Sequence, residues 1–234
     1  MSQYNRVLVK VSGEAFAGEK GHGIDDKAVM EIARQLIQLQ QSGVQVGVVI
    51  GGGNFWRGRT SPEVIERVTA DQIGMLATIM NGLALCDAIM AQEGMCSFFS
   101  SLSVQSVVLP HTVDDMLYAL DAGAIAVFAG GTGSAFFSTD TAAVLRACEI
   151  NADAVLCAKA VDGVYDSDPK LNKNAKRYDE ITYDQVIADN LHALDLTAIA
   201  LARDNGIPVI CFSKDEKDGL LRIANGEKLG TIIK

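Results

Sequence analysis

The sequence predicts an α/β protein built on a mainly parallel sheet that helices cover on both faces. Short apolar runs rich in β-branched residues alternate with stretches of helical period through the first two-thirds of the chain. This alternation is typical of parallel sheets whose crossover helices lie on the two faces. Glycine-bearing loops follow three of the runs, where the carboxyl ends of parallel strands collect ligands.

The individual elements follow from these periods and from the glycine and proline residues between them. Strands are predicted at residues 6–11, 44–50, 124–129, 154–158 and 208–212, with a short edge strand at 230–233. Helices are predicted at residues 27–41, 66–92 and 139–149, and again over 182–206. We expect the 66–92 helix to break or bend near Gly74 or Gly82, because glycine weakens a helix interior.

The segment 162–183 is polar and carries Asp-Gly, Asp-Pro and Asn turn signals, which predict hairpins and loops before the last helices. No linker separates two halves of the chain. We therefore predict a single domain over residues 1–234, made of two lobes.

Composition narrows the functional classes. Of the 234 residues, 49% are hydrophobic and 21% charged, with a net charge of −9 that argues against a nucleic-acid partner. The five scattered cysteines form no CxxC, so neither a disulfide framework nor a zinc site is expected. The start of the chain has no apolar signal segment, which predicts a cytoplasmic protein. Residues 73–90 are apolar, but Asn81 and Asp87 interrupt them, so we predict a buried or interface helix and no membrane span.

Three glycine loops end predicted strands: Ser12-Gly13, Gly51–Gly53 and Gly130–Gly133. Glycine lets the backbone approach a ligand, and exposed amides at such loops bind oxyanions, so the set indicates phosphate binding. The alternative for each single loop is an ordinary turn. Neither GxxxxGK[ST] nor GxGxxG follows the first strand, so a P-loop or Rossmann site is not expected.

Four charged residues beside these loops are candidates for the chemistry: Lys10, Arg57, Asp140 and Asp195. Lysine and arginine can neutralise phosphate charge, and carboxylates can orient the cations or hold Mg²⁺. Structural alternatives remain for each of them, namely an edge-strand lysine, a surface arginine, and two carboxylates that stabilise helix starts. The three histidines form no cluster with metal-ligand spacing.

The chain resembles the bacterial uridylate kinases of the amino acid kinase superfamily nearly from end to end. The similarity is carried by KVSGEAF (residues 10–16), GxGID (21–25), VVIGGGNFWRG (48–58), MLATIMNGLA (75–84), AGGTGSAFFSTDTAA (129–143), VDGVYDSDP (161–169) and LDLTA (194–198). The resemblance implies the three-layer α/β/α, carbamate kinase-like fold, a homohexamer, and the reaction of ATP with UMP to give ADP and UDP with Mg²⁺. It also implies a nucleoside monophosphate lobe at about residues 1–150 and an ATP lobe at about 151–234.

The resemblance also assigns residues by position. It implies ATP contacts for Lys10, Val11, Ser12, Gly13, Gly53, Arg57, Tyr165 and Asp168. It implies UMP contacts for Gly52, for Asp71 at the ribose, and for Thr132, Gly133, Ser134, Ala135, Phe136, Phe137, Ser138 and Thr139. Lys10 and Arg57 would act on the moving phosphoryl group, with Asp140 and Asp195 orienting the cations or the metal. No protein metal ligand is firmly implied, since Mg²⁺ would be held mainly by the ATP phosphates.

Three departures from the family pattern are visible. Lys159 stands where the family has an ATP-contacting threonine, and Cys157 where it has a lysine; the two positions share a strand face, so we predict that Lys159 contacts ATP. The UMP loop reads TGSAFFST where TGNPFFTT is usual, so without the proline we expect a looser loop before binding. Cys86 and Met90 occupy positions where GTP-activated members carry arginine and histidine. GTP activation is therefore not expected, whereas inhibition by UTP in the UMP site is.

Three alternatives to a UMP kinase stay open from the sequence. One is a superfamily kinase for carbamate or an amino acid, and another is a storage protein that binds nucleotides or oxoanions without turnover. The third is a purely structural oligomer. The glycine loops and the retained charged residues argue against the last two.

Overall fold

The computed structural model describes residues 2–57, 62, 64–108, 111–169, 171–191 and 194–234. Arg59, a second arginine two residues after Arg57, and His192, one of the three histidines, lie outside the described residues. Within the described part of the chain, ten strands form one large sheet and one small one. The large sheet contains β1 (Arg6–Val11), β2 (Gln45–Ile50), β3 (Cys96–Ser100), β4 (Ile125–Ala129), β5 (Ala154–Lys159), β8 (Glu180–Ile181), β9 (Val209–Ser213) and β10 (Thr231–Ile233).

The strand order in the large sheet is β3-β4-β2-β1-β5-β9-β10-β8. Every neighbouring pair is parallel except β9 and β10, which confirms the predicted mainly parallel sheet. The polar segment forms the predicted hairpin from β6 (Val164–Tyr165) and β7 (Arg177–Tyr178). Central β1 is buried over five of its six residues because both of its faces carry helices.

Helices cover the two faces of the sheet as the fold class requires. They are α1 (Gly13–Ala17), α2 (Asp26–Gln41), α3 (Arg67–Met90), α4 (Val113–Asp121), α5 (Thr139–Glu149), α6 (Tyr183–Ala188), α7 (Leu196–Asn205) and α8 (Gly219–Ala224). Residues of α4, α5, α6 and α7 build the apolar core on one face. Residues of α1, α2, α3 and α8 build the core on the other, which completes the α/β/α sandwich.

Helix starts follow local capping chemistry. The Asp25 carboxylate accepts a hydrogen bond from the Ala28 amide at the start of α2. The Ser138 hydroxyl does the same for the amides of Asp140 and Thr141 at the start of α5. These caps satisfy backbone donors that have no partner inside the helix, so α5 begins at the position predicted from the sequence.

Three expectations about the elements were wrong. Helix α3 does not break at Gly74 or Gly82, and Gly82 serves instead to let the Phe98 ring of β3 pack directly on the helix. The stretch 182–206 holds two helices, α6 and α7. Strand β10 lies inside the sheet, because β8 pairs with its far side and forms the edge. Strand β3 was not predicted at all.

Helix α3 is long and apolar enough to cross a membrane by length and composition, but 56% of its most apolar 18-residue window is buried against the protein. On the face of α3 that is not buried, exposed apolar side chains recur at helical spacing and form a stripe. We call this the α3 stripe; it contains Leu76, Met80, Leu83 and Met90. The predicted interface helix thus has an apolar face available to a partner.

All five cysteines are free, and three of them are buried as expected for small hydrophobic residues: Cys86, Cys157 and Cys211.

Candidate active site

A cleft of about 450 Å³ opens where the loops after β1, β2 and β4 meet the first turns of α3 and α5. Parallel strands bring their carboxyl ends to this edge, so the three glycine loops of the sequence come together here. The following residues line it: Lys10, Ser12, Gly13, Glu14, Gly51, Gly52, Gly53, Trp56, Arg57, Arg67, Asp71, Gly74, Met75, Thr78, Gly131, Thr132, Ser134, Phe136, Phe137, Ser138, Thr139 and Asp140.

A chain of three charges lies at the inner end of the cleft. The Asp140 carboxylate is in the first turn of α5, and its Oδ1 is 2.9 Å from the Lys10 ammonium on β1. Its Oδ2 is 3.2 Å from the Lys159 ammonium at the end of β5. All three side chains are at least 79% buried, so solvent screens these contacts weakly. The group carries a net positive charge, as an anion-binding site requires.

Opposing effects set the protonation of this group. Burial raises the pKa of Asp140, but the ammonium groups of Lys10 and Lys159 outweigh it and bring the pKa below its ordinary value. Burial likewise lowers the pKa of Lys159, and Asp140 reverses that effect and raises it. Asp140 is therefore a carboxylate and Lys159 an ammonium at neutral pH.

The glycines after β2 leave room for close backbone contacts inside the protein as well as for the open cleft. A Cβ on Gly52 would lie 2.7 Å from the Gly74 carbonyl oxygen of α3, and one on Gly51 would lie 2.8 Å from the Gly13 amide nitrogen. The loops after β1 and β2 thus touch backbone to backbone. Consecutive glycines let the loops and α3 converge, which brings their amides to one cleft.

A buried amide network ties this glycine loop to α3. Asn54 and Asn81 exchange two side-chain hydrogen bonds of 2.9 and 2.7 Å, and Asn81 also donates to the Gly51 carbonyl at 2.8 Å. The Thr78 hydroxyl accepts the Gly130 amide at 2.7 Å and so connects the loop after β4 to the same helix. Neither Asn54 nor Asn81 was predicted to belong to the site, although Asn81, a polar residue inside an apolar helix, was a visible signal.

Arg57 lies at the rim of the cleft, and its side chain is 61% exposed. Its guanidinium contacts the carboxylate of Glu14, a cleft residue that the sequence analysis did not select. A guanidinium at this position can turn toward a phosphate, because the exposed ion pair with Glu14 is weak.

The loop before α5 forms the outer wall of the cleft. Phe136 and Phe137 are 65% and 50% exposed, and the Phe136 amide donates to Asp71 Oδ2 at 2.8 Å. Asp71 also accepts from Arg67, which precedes it by one turn of α3. The wall is thereby fixed to α3 through Asp71.

The structure brings fourteen of the predicted site residues to this cleft, namely Lys10, Ser12, Gly13, Gly52, Gly53, Arg57, Asp71, Thr132, Ser134, Phe136, Phe137, Ser138, Thr139 and Asp140. Seven others do not line it: Val11, Gly133, Ala135, Lys159, Tyr165, Asp168 and Asp195. Val11 is buried in the core. Lys159 does not line the cleft, but its ammonium contacts Asp140, which does. Tyr165 of β6 donates to Asp162, which precedes that strand.

The cleft carboxylates offer little direct metal coordination. Glu14 pairs with Arg57, and Asp140 pairs with two lysines. The described residues contain no group of three or more histidine, cysteine or acidic side chains that could hold an ion. A Mg²⁺ that keeps most of its waters and is held mainly by ligand phosphates would suit such a donor set.

Together, the parallel sheet and the glycine-lined, cationic cleft at its carboxyl edge define an α/β enzyme that handles phosphate groups. The profile of the amino acid kinase family matches residues 5–213. A uridylate kinase of Limosilactobacillus reuteri is 44% identical over 233 residues, which cover 99% of this chain and 97% of that protein. The chain belongs to the amino acid kinase family, among its uridylate kinases.

Solved structures agree with this placement. A UMP kinase from Bacillus anthracis superposes with a TM-score of 0.95 at 40% identity, over 99% of this chain and 96% of that one. A UMP kinase from Ureaplasma parvum gives a TM-score of 0.92 at 33% identity, over 99% of both chains.

Proposed function

We propose that this protein is a UMP kinase, which transfers the γ-phosphoryl group of ATP to UMP and releases ADP and UDP. The observation that carries this function is the Lys10–Asp140 pair at the point where three glycine loops and the start of α5 converge. Phosphoryl transfer needs positioned positive charge more than a strong base, and this cleft supplies that charge.

UMP occupies the cleft between Asp71 and the loop at residues 132–139, with its phosphate toward Gly52. ATP approaches from the side of β5. Lys159 ends that strand, and Tyr165 and Asp168 lie in the β6–β7 hairpin that follows it. Val11, Ser12, Gly13 and Gly53 offer backbone to the ATP phosphates. The acceptor and donor thus meet at Lys10, on the strand of the lobe at about 1–150 that pairs with β5 of the lobe at about 151–234.

Several groups of the chain act on the transferred phosphoryl group. Lys10 neutralises charge on its oxygens, and Asp140 fixes the position of that ammonium. Arg57 leaves Glu14 to bind the incoming phosphate bidentately. The N-terminus of α5 adds a favourable dipole. Asp195, at the N-cap position of α7, orients the cations or the metal on the ATP side of the site.

Mg²⁺ is the proposed cofactor, and when bound to the ATP phosphates it supplies further neutralisation of charge. The transition state is loose, so no side chain needs to act as a dedicated general base.

The test is ADP release from ATP and Mg²⁺ with UMP, CMP, aspartate or carbamate as acceptor. We expect turnover with UMP alone and a loss of about 10²–10³-fold in Lys10→Ala. Lys20→Ala is the matched control, because Lys20 pairs with Asp25 on the surface. Turnover with another acceptor would assign a different kinase, and tight nucleotide binding without ADP release would indicate a storage protein.

We further propose regulation and assembly for this enzyme. UTP competes with UMP, because the cleft accepts a uridine nucleotide. GTP does not activate, and a tenfold rate increase by GTP at subsaturating ATP would contradict this. The enzyme works in the cytoplasm as a homohexamer, and the α3 stripe supports assembly because an exposed apolar stripe favours a second copy.

A further inference from the structure

Arg67 and Asp71 form an ion pair along the first turns of α3. The Arg67 Nε–H is shared between the two carboxylate oxygens, at 3.0 Å from Oδ1 and 2.9 Å from Oδ2. The side chain of Asp71 is 13% exposed and that of Arg67 is 41% exposed. Most surface ion pairs at this spacing contribute little to stability, but in this pair the Asp71 carboxylate is sheltered in the cleft wall.

The same two residues hold the loop that forms the outer wall. The Phe136 amide donates to Asp71 Oδ2 at 2.8 Å, and the Arg67 guanidinium carbon lies 5.4 Å from the centre of the Phe136 ring. Arg67 therefore holds the loop in two ways: it pairs with the Asp71 carboxylate, which binds the Phe136 amide, and it lies over the face of the Phe136 ring. We call Arg67, Asp71 and Phe136 the Arg67 clasp.

The clasp offsets two unfavourable features of Phe136. The residue has a φ of +71°, a left-handed conformation that is costly for a bulky side chain, and it is 65% exposed. A loop with these features does not keep one conformation by itself, and ordering it on binding would cost affinity. Contacts made before binding remove part of that cost.

The clasp also orients Asp71. Its Oδ2 is occupied by two donors, whereas in the described part of the chain Oδ1 receives only the shared Arg67 Nε–H. Oδ1 thus keeps accepting capacity for a ligand hydroxyl in the cleft.

We propose that Arg67 is a positioning residue for the acceptor nucleotide: it holds Asp71 toward the ribose and keeps the loop around Phe136 closed over the nucleoside. The inference rests on the proposed function, which places UMP in this cleft. Arg67 acts through its two partners and does not touch the transferred phosphoryl group. Its loss therefore weakens acceptor binding and leaves the chemical step intact.

The first test is the steady-state kinetics of Arg67→Met. We expect the KM for UMP to rise about tenfold, as for the loss of one charge-assisted contact, while kcat and the KM for ATP stay within twofold. The preference for UMP over 2′-deoxy-UMP falls, because a loosened Asp71 no longer fixes the ribose hydroxyl. Arg34→Met is the matched control, since Arg34 pairs with Glu31 on α2 and is 38% exposed.

A second test measures binding without turnover. Trp56 is the single tryptophan and lines the cleft, so its fluorescence reports UMP binding in the absence of ATP. The Kd for UMP rises about tenfold in Arg67→Met. Arg67→Lys, which keeps the charge but loses the planar group over Phe136, gives an intermediate value. It also replaces the first variant if that one does not fold.

The outcomes separate the inference from the proposed function. If the wild type does not phosphorylate UMP, the proposed function fails. If the wild type is active and both Arg67 variants keep its KM, Kd and preference for UMP over 2′-deoxy-UMP, the inference is overturned. A fall in kcat with unchanged KM also overturns it, because Arg67 would then act on the transfer step.

Discussion

The Lys159 ammonium lies 3.2 Å from Asp140 Oδ2, across 19 residues of sequence and at the end of the strand next to β1. Lys10 holds the other oxygen of the same carboxylate at 2.9 Å. One buried acid therefore fixes two cations near the place where a phosphoryl group would move.

Lys159 is expected to bind ATP. In Lys159→Thr the KM for ATP rises about tenfold while the KM for UMP stays the same, because one charge-assisted contact to phosphate is lost. Lys214→Thr serves as the control, since Lys214 follows β9 close by but is 48% exposed and pairs with Asp215. An unchanged KM for ATP in Lys159→Thr would refute the predicted contact.

Asp140 is expected to make stability depend on acid pH. Its pKa in the folded protein lies below the ordinary 3.8, so the charged form stabilises the fold at every pH above 3.8. That contribution is lost as the pH falls below 3.8 through the folded pKa. In urea titrations the difference in unfolding free energy between wild type and Asp140→Asn is constant from pH 7 to 5 and shrinks toward pH 3. A constant difference down to pH 3 would contradict the lowered pKa.

The buried amide network is expected to stabilise the glycine loop. Asn81→Ala removes the donor that serves the Gly51 carbonyl and Asn54 Oδ1, which costs about 1–3 kcal/mol of unfolding free energy. Urea denaturation measures this loss. Asn205→Ala removes an exposed bond to the Leu201 carbonyl and should cost much less. Equal effects of the two substitutions would show that the network adds no stability.

The α3 stripe is expected to mediate assembly between copies of the chain. Met80→Glu places a charge in an apolar contact, so the assembly falls to a smaller species in size-exclusion chromatography with light scattering. Leu171→Glu is the control, because Leu171 is 87% exposed in a loop outside the stripe. If both variants keep the wild-type mass, the α3 stripe is not the interface.

Much of the fold was predictable because it depends on local patterns. The apolar runs of β1, β2 and β5 and the helical period of α5 agree with the structure within one residue at each end. Errors occurred where distant partners decide the outcome. Strand β10 was predicted at the edge of the sheet, but β8 pairs with its outer side. Gly82 was predicted to interrupt the helix, but Phe98 packs against it.

The site was predictable in part for the same reason. Glycines after strands and a lysine in an apolar strand are visible in the sequence, and their positions at strand ends place them in one cleft. Glu14, Arg67 and Asn54 were missed, because each contacts a partner that is distant in the sequence: Arg57, the Phe136 ring and Asn81 respectively. Asn54, for example, bonds the Gly23 carbonyl and the Asn81 side chain, and neither contact can be read from the local sequence.

The sequence by itself determined the alternation of strands and helices, the three glycine loops and the charged residues beside them, because period, capping and backbone freedom are properties of short segments. Only the tertiary structure decided which charges pair. Asp140 lies between Lys10 and Lys159 because parallel packing of β1 and β5 brings two strand ends to the start of α5. Ion pairs act over a few ångströms, and the distances between elements are set by packing of the whole core.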